Sequence, residues 1–254
     1  MPYIKTPIEG AEQIVCTRES APEMMMDIRV RFMAKGETLR LYDEVNETAV
    51  LIQSGDAEIS WGGETRAMKR SGPFDKKPFC LHFSRGTPVF IAANEDSEFI
   101  IEKTDNDRVW EPVFYTPETC LYQEFGKEQW GGAGDRIVST MFDYENAPYS
   151  NMVLGEVFNL PGKWSSYPPH HHPQPEVYYY RFDRPQGFGA CFIGDDVYKS
   201  VDRGHAEIPG GKTHQQGAAP GYEMYYVWMV RHVDGDPWIK TRIYAPEHEW
   251  LANS

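Results

Sequence analysis

The chain has little that would suit it to nucleic acid, to a membrane or to an oxidising compartment. Lys and Arg number 25 against 38 Asp and Glu, a formal net charge of −13, and no basic run is long enough to neutralise a track of phosphates. Polyanions and anionic lipid surfaces are therefore poor partners, and a small molecule is the expected one. The four cysteines, Cys16, Cys80, Cys120 and Cys191, lie far apart with no CxxC pair, so neither a disulfide framework nor a thiolate zinc site is written here. The opening residues, MPYIKTPIEGAEQIV, include acidic side chains and no apolar core of signal-peptide length, and nowhere do 18 uncharged apolar residues run together. The expectation is a cytoplasmic protein with reduced, packed cysteines. Long segments with the 3.6-residue period of an amphipathic helix are missing as well, which argues against a helical bundle.

What is present is the material of an all-β protein. Hydrophobic residues make up 41% of the 254 and aromatics 14%, enough to fill a full core, while 22 Gly and 19 Pro punctuate short runs rich in Val, Ile, Tyr, Phe and Trp. Strands are predicted over Thr48 to Ile52, Ala57 to Trp61, Pro88 to Ala92, Phe99 to Lys103, Met152 to Phe158, Val177 to Phe182, Gly189 to Ile193 and Tyr222 to Val230. One helix is expected, over Pro117 to Phe125, with Thr116 as its cap and Pro at the favoured first position, although a short turn fits nearly as well. GETLRLYDEVNETAVLIQSGDAEI from Gly36 loosely matches GKWSSYPPHHHPQPEVYYYRFDRPQGFGA from Gly162: a Gly, a short strand, a polar corner, a Glu and a second strand. That pattern suggests two β-sandwich or barrel domains, 1–115 and 116–254, with the charged stretch Thr104 to Pro117 as linker. Glu47 is then the counterpart of Glu176, but its copy has no His in the corner and is expected to hold no metal.

Five of the eight histidines fall between His170 and His214. Side chains alternate along an extended strand, so His170 and His172 point to one face and His171 to the other. Pro173 and Pro175 lack donor N–H groups and let the chain turn, bringing the Glu176 carboxylate back beside the pair. His214 follows a Pro-Gly-Gly turn in IPGGKTH. Three imidazoles and one carboxylate leave two positions open on a six-coordinate ion, which suits one divalent Zn, Mn, Fe or Ni per chain with room for two substrate oxygens. The bland alternative is a solvated His-rich tract that binds metal adventitiously; the Glu and the downstream His at their spacing make it the weaker account.

The remaining residues are less sharply marked. His82, His205, His232 and His248 each stand alone and read as surface or satisfied core histidines. Alternation places Tyr178 and Tyr180 on the face of Glu176, where they either line a pocket with a hydroxyl near the metal or pack as core aromatics. For Tyr222, Tyr225, Tyr226 and Trp228 the core reading leads. Arg136, Arg181, Arg203 and Lys212 are cations that flank the motif, and a carboxylate substrate would want one of them; Arg181 stands with the two tyrosines as a candidate catalytic group.

GKWSSYPPHHHPQPEVYYYRFDRPQGFG from Gly162 and AAPGYEMYYVWMV from Ala218 resemble the 5-deoxy-glucuronate isomerases of inositol catabolism, which are related to the 5-keto-4-deoxyuronate isomerases of pectin breakdown. The resemblance is specific in the C-terminal half, through SSYPPH, EVYYYRF, PQGFG and AAPGY, and faint in the N-terminal half. It implies a bicupin, two jelly-roll barrels with the metal in the C-terminal one on His170, His172, Glu176 and His214. It further implies aldose–ketose isomerisation of a deoxy-uronic acid, 5-deoxy-D-glucuronate to 5-dehydro-2-deoxy-D-gluconate, by a homo-oligomer. His171 stands where the family pattern has lysine, the corner before Glu176 is shorter than the family's acidic insertion, and Arg203-Gly204 precede Pro209 where cupins commonly carry Gly-Asp. These departures bear on substrate rather than on metal. Two other uses of such a site are a cupin dioxygenase and a sugar-acid-binding protein without turnover.

Overall fold

A computed structural model describes residues 3–253, whose regular structure is mostly β-strand, in two compact units. The first holds Thr6–Cys120 and Ala147–Asn151; the second holds Met1–Lys5, Leu121–Asn146 and Met152–Ser254. The main break therefore follows Cys120 rather than residue 115. Thr104 to Pro117 is not a free linker. It contains the end of the strand Ser97–Asp105 and the strand Val113–Tyr115, which pairs with Cys80–Phe83 inside the first unit.

In the first unit the runs predicted over Thr48 to Ile52 and Ala57 to Trp61 are one strand, Asn46–Trp61. It pairs with Ser97–Asp105 along its first half and with Glu64–Arg70 along its second, and Gly55 at φ 111° carries the change of partner. A Cβ there would lie 2.2 Å from Ser97 Oγ and 2.6 Å from Ser97 Cα, so only glycine fits the bend. Alternate residues Val50 and Ile52, with Phe99 and Ile101 from the neighbouring strand, fill the core with Leu81, Phe83, Val89 and Ile91.

The second unit is a sandwich of a seven-stranded and a five-stranded sheet. The larger runs Tyr3–Ile4, His205–Ile208, Glu176–Phe182, Met224–Arg231, Met152–Asn159, Arg136–Phe142, Leu121–Phe125; the smaller runs Asp196–Val201, Phe188–Ile193, His214–Ala218, Trp164–His171, Ile243–Tyr244. Val153, Val157, Tyr178, Tyr180 and Tyr226 from one sheet meet Cys191, Ile193 and Ala218 from the other. The helix expected over Pro117 to Phe125 is absent. Thr119 and Cys120 amides donate to the Thr116 carbonyl in a single turn, and Leu121–Phe125 then joins Arg136–Phe142 as an edge strand. The Thr-Pro start signal closes that turn, but the ladder across to Arg136–Thr140 supplies backbone partners that a short isolated helix would lack.

Among the described residues, no helix is long and apolar enough to cross a membrane.

Candidate metal centre

The strand Trp164–His171 pairs with His214–Ala218 at both ends, Trp164 opposite Gly217 and His170 opposite His214, with an irregular stretch between. Pro168 and Pro169 occupy that stretch and have no N–H to give the ladder. The chain re-enters register at His170, which places two imidazoles face to face. His172 follows on the same side, while His171 is half-buried and pairs with Ile243. After the Pro-Gln-Pro corner, Glu176 starts the strand Glu176–Phe182 in the other sheet, opposite Ile208 and Val230. Gly210 presses on that corner: its Cβ, if it had one, would sit 1.9 Å from the Pro173 carbonyl oxygen. Both segments of the motif are thus locked together by a glycine contact.

Glu176 stands between two histidines, with His214 Nε2 at 3.1 Å from Oε2 and His172 Nε2 at 3.5 Å from Oε1. One ligand atom each from His172, Glu176 and His214 lie within 4.8 Å of one another. The His170 ring is 4.8 Å from that of His214 and 6.3 Å from that of His172, centroid to centroid. None of the four is more than 4% exposed.

Two of the three imidazoles, those of His170 and His214, are oriented as a metal needs them. His170 Nδ1 is 2.9 Å from the Pro168 carbonyl and His214 Nδ1 is 3.0 Å from the Lys212 carbonyl. A carbonyl only accepts, so each Nδ1 carries the proton and each Nε2 keeps its lone pair, the arrangement that fixes metal-binding histidines. Burial holds His170 well below the ordinary histidine pKa, and hence neutral. Burial acts to raise the Glu176 pKa, but His172 and His214 outweigh it and keep the carboxylate well below its usual range. Imidazole nitrogens beside an ionised carboxylate are the donor set of a divalent cation.

His170, His172 and Glu176 line a cavity of about 540 Å³ in the second unit. Tyr178 lies on its wall, and its hydroxyl donates to Glu176 Oε2 at 2.6 Å. Ser166 Oγ stands 3.1 Å from the Tyr178 hydroxyl and 3.4 Å from that of Tyr226, which donates to Ser165 Oγ at 2.8 Å. Burial, then the Glu176 charge, pushes the Tyr178 pKa well above the ordinary tyrosine value, so the phenol stays protonated.

Two of the three residues expected beside the metal from the strand alone are elsewhere. Tyr180 is fully buried in the core, donating to Gln216 Oε1 at 2.8 Å, because its position is one pleat further from the cavity mouth. Arg181 alternates to the opposite face and pairs with Asp202 at 3.0 Å. Of the other cations, Arg203 approaches the Tyr179 hydroxyl at 3.4 Å and Lys212 is exposed, whereas Arg136 lines the cavity. Tyr226 and Trp228 belong both to the core and to the cavity wall, while Tyr225 alternates away and donates to Glu156.

The lone histidines differ among themselves. His82 sits 2.9 Å from Glu47, His232 Nδ1 accepts the Trp238 amide at 2.9 Å, and His248 is half-buried. His205 is neither on the surface nor satisfied: it is 0% exposed and neither ring nitrogen has a hydrogen-bond partner among the described residues. Glu47, the counterpart of Glu176, is also buried and accepts from Ser150 at 2.9 Å, Asn106 at 3.1 Å and the Asn151 amide at 2.6 Å.

Trp238, Lys240, Arg242 and Tyr244 also line the cavity, and sequence reasoning missed them. The signal was there in PWIKTRIY, where every second residue is aromatic or cationic, a strand-like alternation with one face to the site.

The model of the KduI/IolB family matches residues 4–251. The 5-deoxy-glucuronate isomerase of Geobacillus kaustophilus (strain HTA426) is 26% identical over 269 residues, covering 98% of this chain and 94% of that protein. That of Bacillus licheniformis is 30% identical over 192 residues, 66% of this chain and 69% of the relative. Among solved structures, an IolB-like protein from Salmonella typhimurium LT2 superimposes with a TM-score of 0.90 at 20% identity, each chain covered completely. The oxalate decarboxylase of Lactobacillus farciminis, solved as a formate complex, gives 0.70 at 13% identity, with 100% of this chain and 90% of that one covered. These likenesses establish the fold as bicupin.

Proposed function

The chain belongs to the KduI/IolB family, and on that premise we propose that it is a metal-dependent isomerase interconverting the aldose and ketose forms of a deoxy-uronic acid. The substrate is 5-deoxy-D-glucuronate and the product 5-dehydro-2-deoxy-D-gluconate, which places the reaction in inositol breakdown. The observation that carries the reading is the convergence of His172, Glu176 and His214, with His170 beside them, at a cavity lined by His170, His172 and Glu176.

His170, His172, Glu176 and His214 would hold one divalent cation, through Nε2 of His170 and His214 and the Glu176 carboxylate. Bound there, the ion would supply Lewis-acid polarisation to the oxygens of the substrate's carbonyl and neighbouring hydroxyl. The protein's own part is orientation and exclusion of water. Tyr178 keeps a proton on its hydroxyl at the cavity wall, holds Glu176 in place through Oε2, and is itself held by Ser166. Trp228 and Trp238, tilted against each other with centroids 5.6 Å apart, form an apolar wall that strengthens every polar contact within. Among the described residues the cavity also carries Arg136 and Arg242, neither in an ion pair, so a negative ligand meets local positive charge despite the net charge of −13.

The test is incubation of the metal-loaded protein with 5-deoxy-D-glucuronate in D2O, followed by NMR. The expected result is loss of the aldehyde signal and appearance of a ketose; an unchanged aldose with metal at one equivalent per chain would refute the substrate assignment.

A further inference from the structure

Arg136 opens the strand Arg136–Phe142 and is 5% exposed, yet its guanidinium has no carboxylate partner among the described residues. Nη1 donates to the Gly134 carbonyl at 2.9 Å, and the guanidinium carbon stands 5.4 Å from the centroid of the Phe125 ring, directly across the strand pair. Nε and Nη2 make no hydrogen bond to any described group. A guanidinium does not give up its proton at working pH, so burial without a counter-charge is unfavourable unless an anion completes the site. Burial pulls the Arg136 pKa down, which expresses the same mismatch.

The other cations of the cavity are differently placed. Lys240 is held by Asp143 at 3.1 Å and Glu145 at 2.8 Å, and Arg242 is exposed. Arg136 alone among them is both buried and without a carboxylate. It shares the cavity with His170, His172 and Glu176, and its planar fork matches a carboxylate in two parallel hydrogen bonds.

We propose that Arg136 is the carboxylate-binding residue of this cavity and sets its preference for sugar acids over neutral sugars. The inference rests on the isomerase reading for the identity of the acid, but its charge selectivity is measurable without turnover. Phe125, stacked on the guanidinium, keeps the fork from swinging toward solvent, so it acts as a positioning residue for the same contact.

The experiment is titration of the metal-loaded protein with D-glucuronate and with its neutral amide, D-glucuronamide, followed by calorimetry, on the wild type, R136M and R136K. Charge-assisted hydrogen bonds of this kind are worth roughly tenfold to hundredfold in affinity. The wild type should prefer the acid by about that factor, R136M should lose the preference by weakening the acid far more than the amide, and R136K should retain part of it. Equal weakening of both ligands would make Arg136 a structural residue and overturn the proposal, as would a wild type that does not discriminate. Should R136M not fold, the acid-to-amide ratio of R136K decides, since a ratio equal to that of the wild type contradicts the fork. Charge selectivity that depends on Arg136 in a protein that leaves 5-deoxy-D-glucuronate unchanged would sustain this proposal and refute the isomerase reading.

Discussion

His170 and His214 stand directly opposite each other in an antiparallel strand pair, ring centroids 4.8 Å apart, each with its Nδ1 proton directed at a backbone carbonyl two residues before it. That geometry separates the three consecutive histidines by role. His170→Ala and His214→Ala should each lower affinity for the divalent ion by at least about 10- to 100-fold, the range known for merely supporting groups. His171→Ala, whose side chain leaves the site, should not change it. Metal content after dialysis against a graded chelator reads the difference, and equal losses in all three would refute the assignment.

Tyr178→Phe removes the hydroxyl that donates to Glu176 at 2.6 Å and touches Ser166 at 3.1 Å. A hydrogen bond to a charged acceptor contributes about 1.5–3 kcal/mol, so turnover should fall by roughly ten- to hundredfold while metal stays bound. An unchanged kcat would remove Tyr178 from the site's working parts.

Gly210→Ala places a methyl group 1.9 Å from the Pro173 carbonyl oxygen. Backbone must move there, at a cost of about 1–3 kcal/mol, and the corner that carries Glu176 moves with it. Metal affinity should drop although no ligand is altered. Retention of full affinity would show that the corner is not held by this contact.

His205 provides a pH prediction. Burial lowers its pKa from 6.5 to about 4, so the folded protein keeps it neutral while the unfolded chain protonates below 6.5. Its contribution to stability is therefore fully present above about pH 6.5 and is lost as the pH falls toward 4, up to about 3 kcal/mol. His205→Leu should flatten that part of the profile in urea unfolding at pH 7 and pH 4.5. If the variant and wild type lose stability in parallel, His205 is not the group responsible.

The local part of this architecture was legible because it follows from backbone periodicity. Alternation separates His170 and His172 from His171, and the prolines at 173 and 175 mark the corner that returns Glu176. Alternation also assigned Tyr178 and Tyr180 to one face, but which residue along that face reaches the cavity depends on where the opposing sheet ends, and only Tyr178 does. Arg181 fell to the other face by the same rule and found Asp202. The expected helix failed because Leu121–Phe125 takes its pattern from its partner strand, a long-range fact no local propensity contains. Arg136 was one of four candidate cations and only packing singles it out, while the Trp238 to Tyr244 stretch reaches the site from far along the chain.

The most direct test of the central claim compares wild type with Glu176→Ala at matched protein concentration, measuring metal stoichiometry and conversion of 5-deoxy-D-glucuronate by NMR. The account predicts one divalent ion and complete isomerisation for the wild type, and for the variant a weakened ion and at least about 1,000-fold slower conversion, the scale of a lost preorganised charge. Undiminished conversion by Glu176→Ala would contradict the placement of the reaction at this centre.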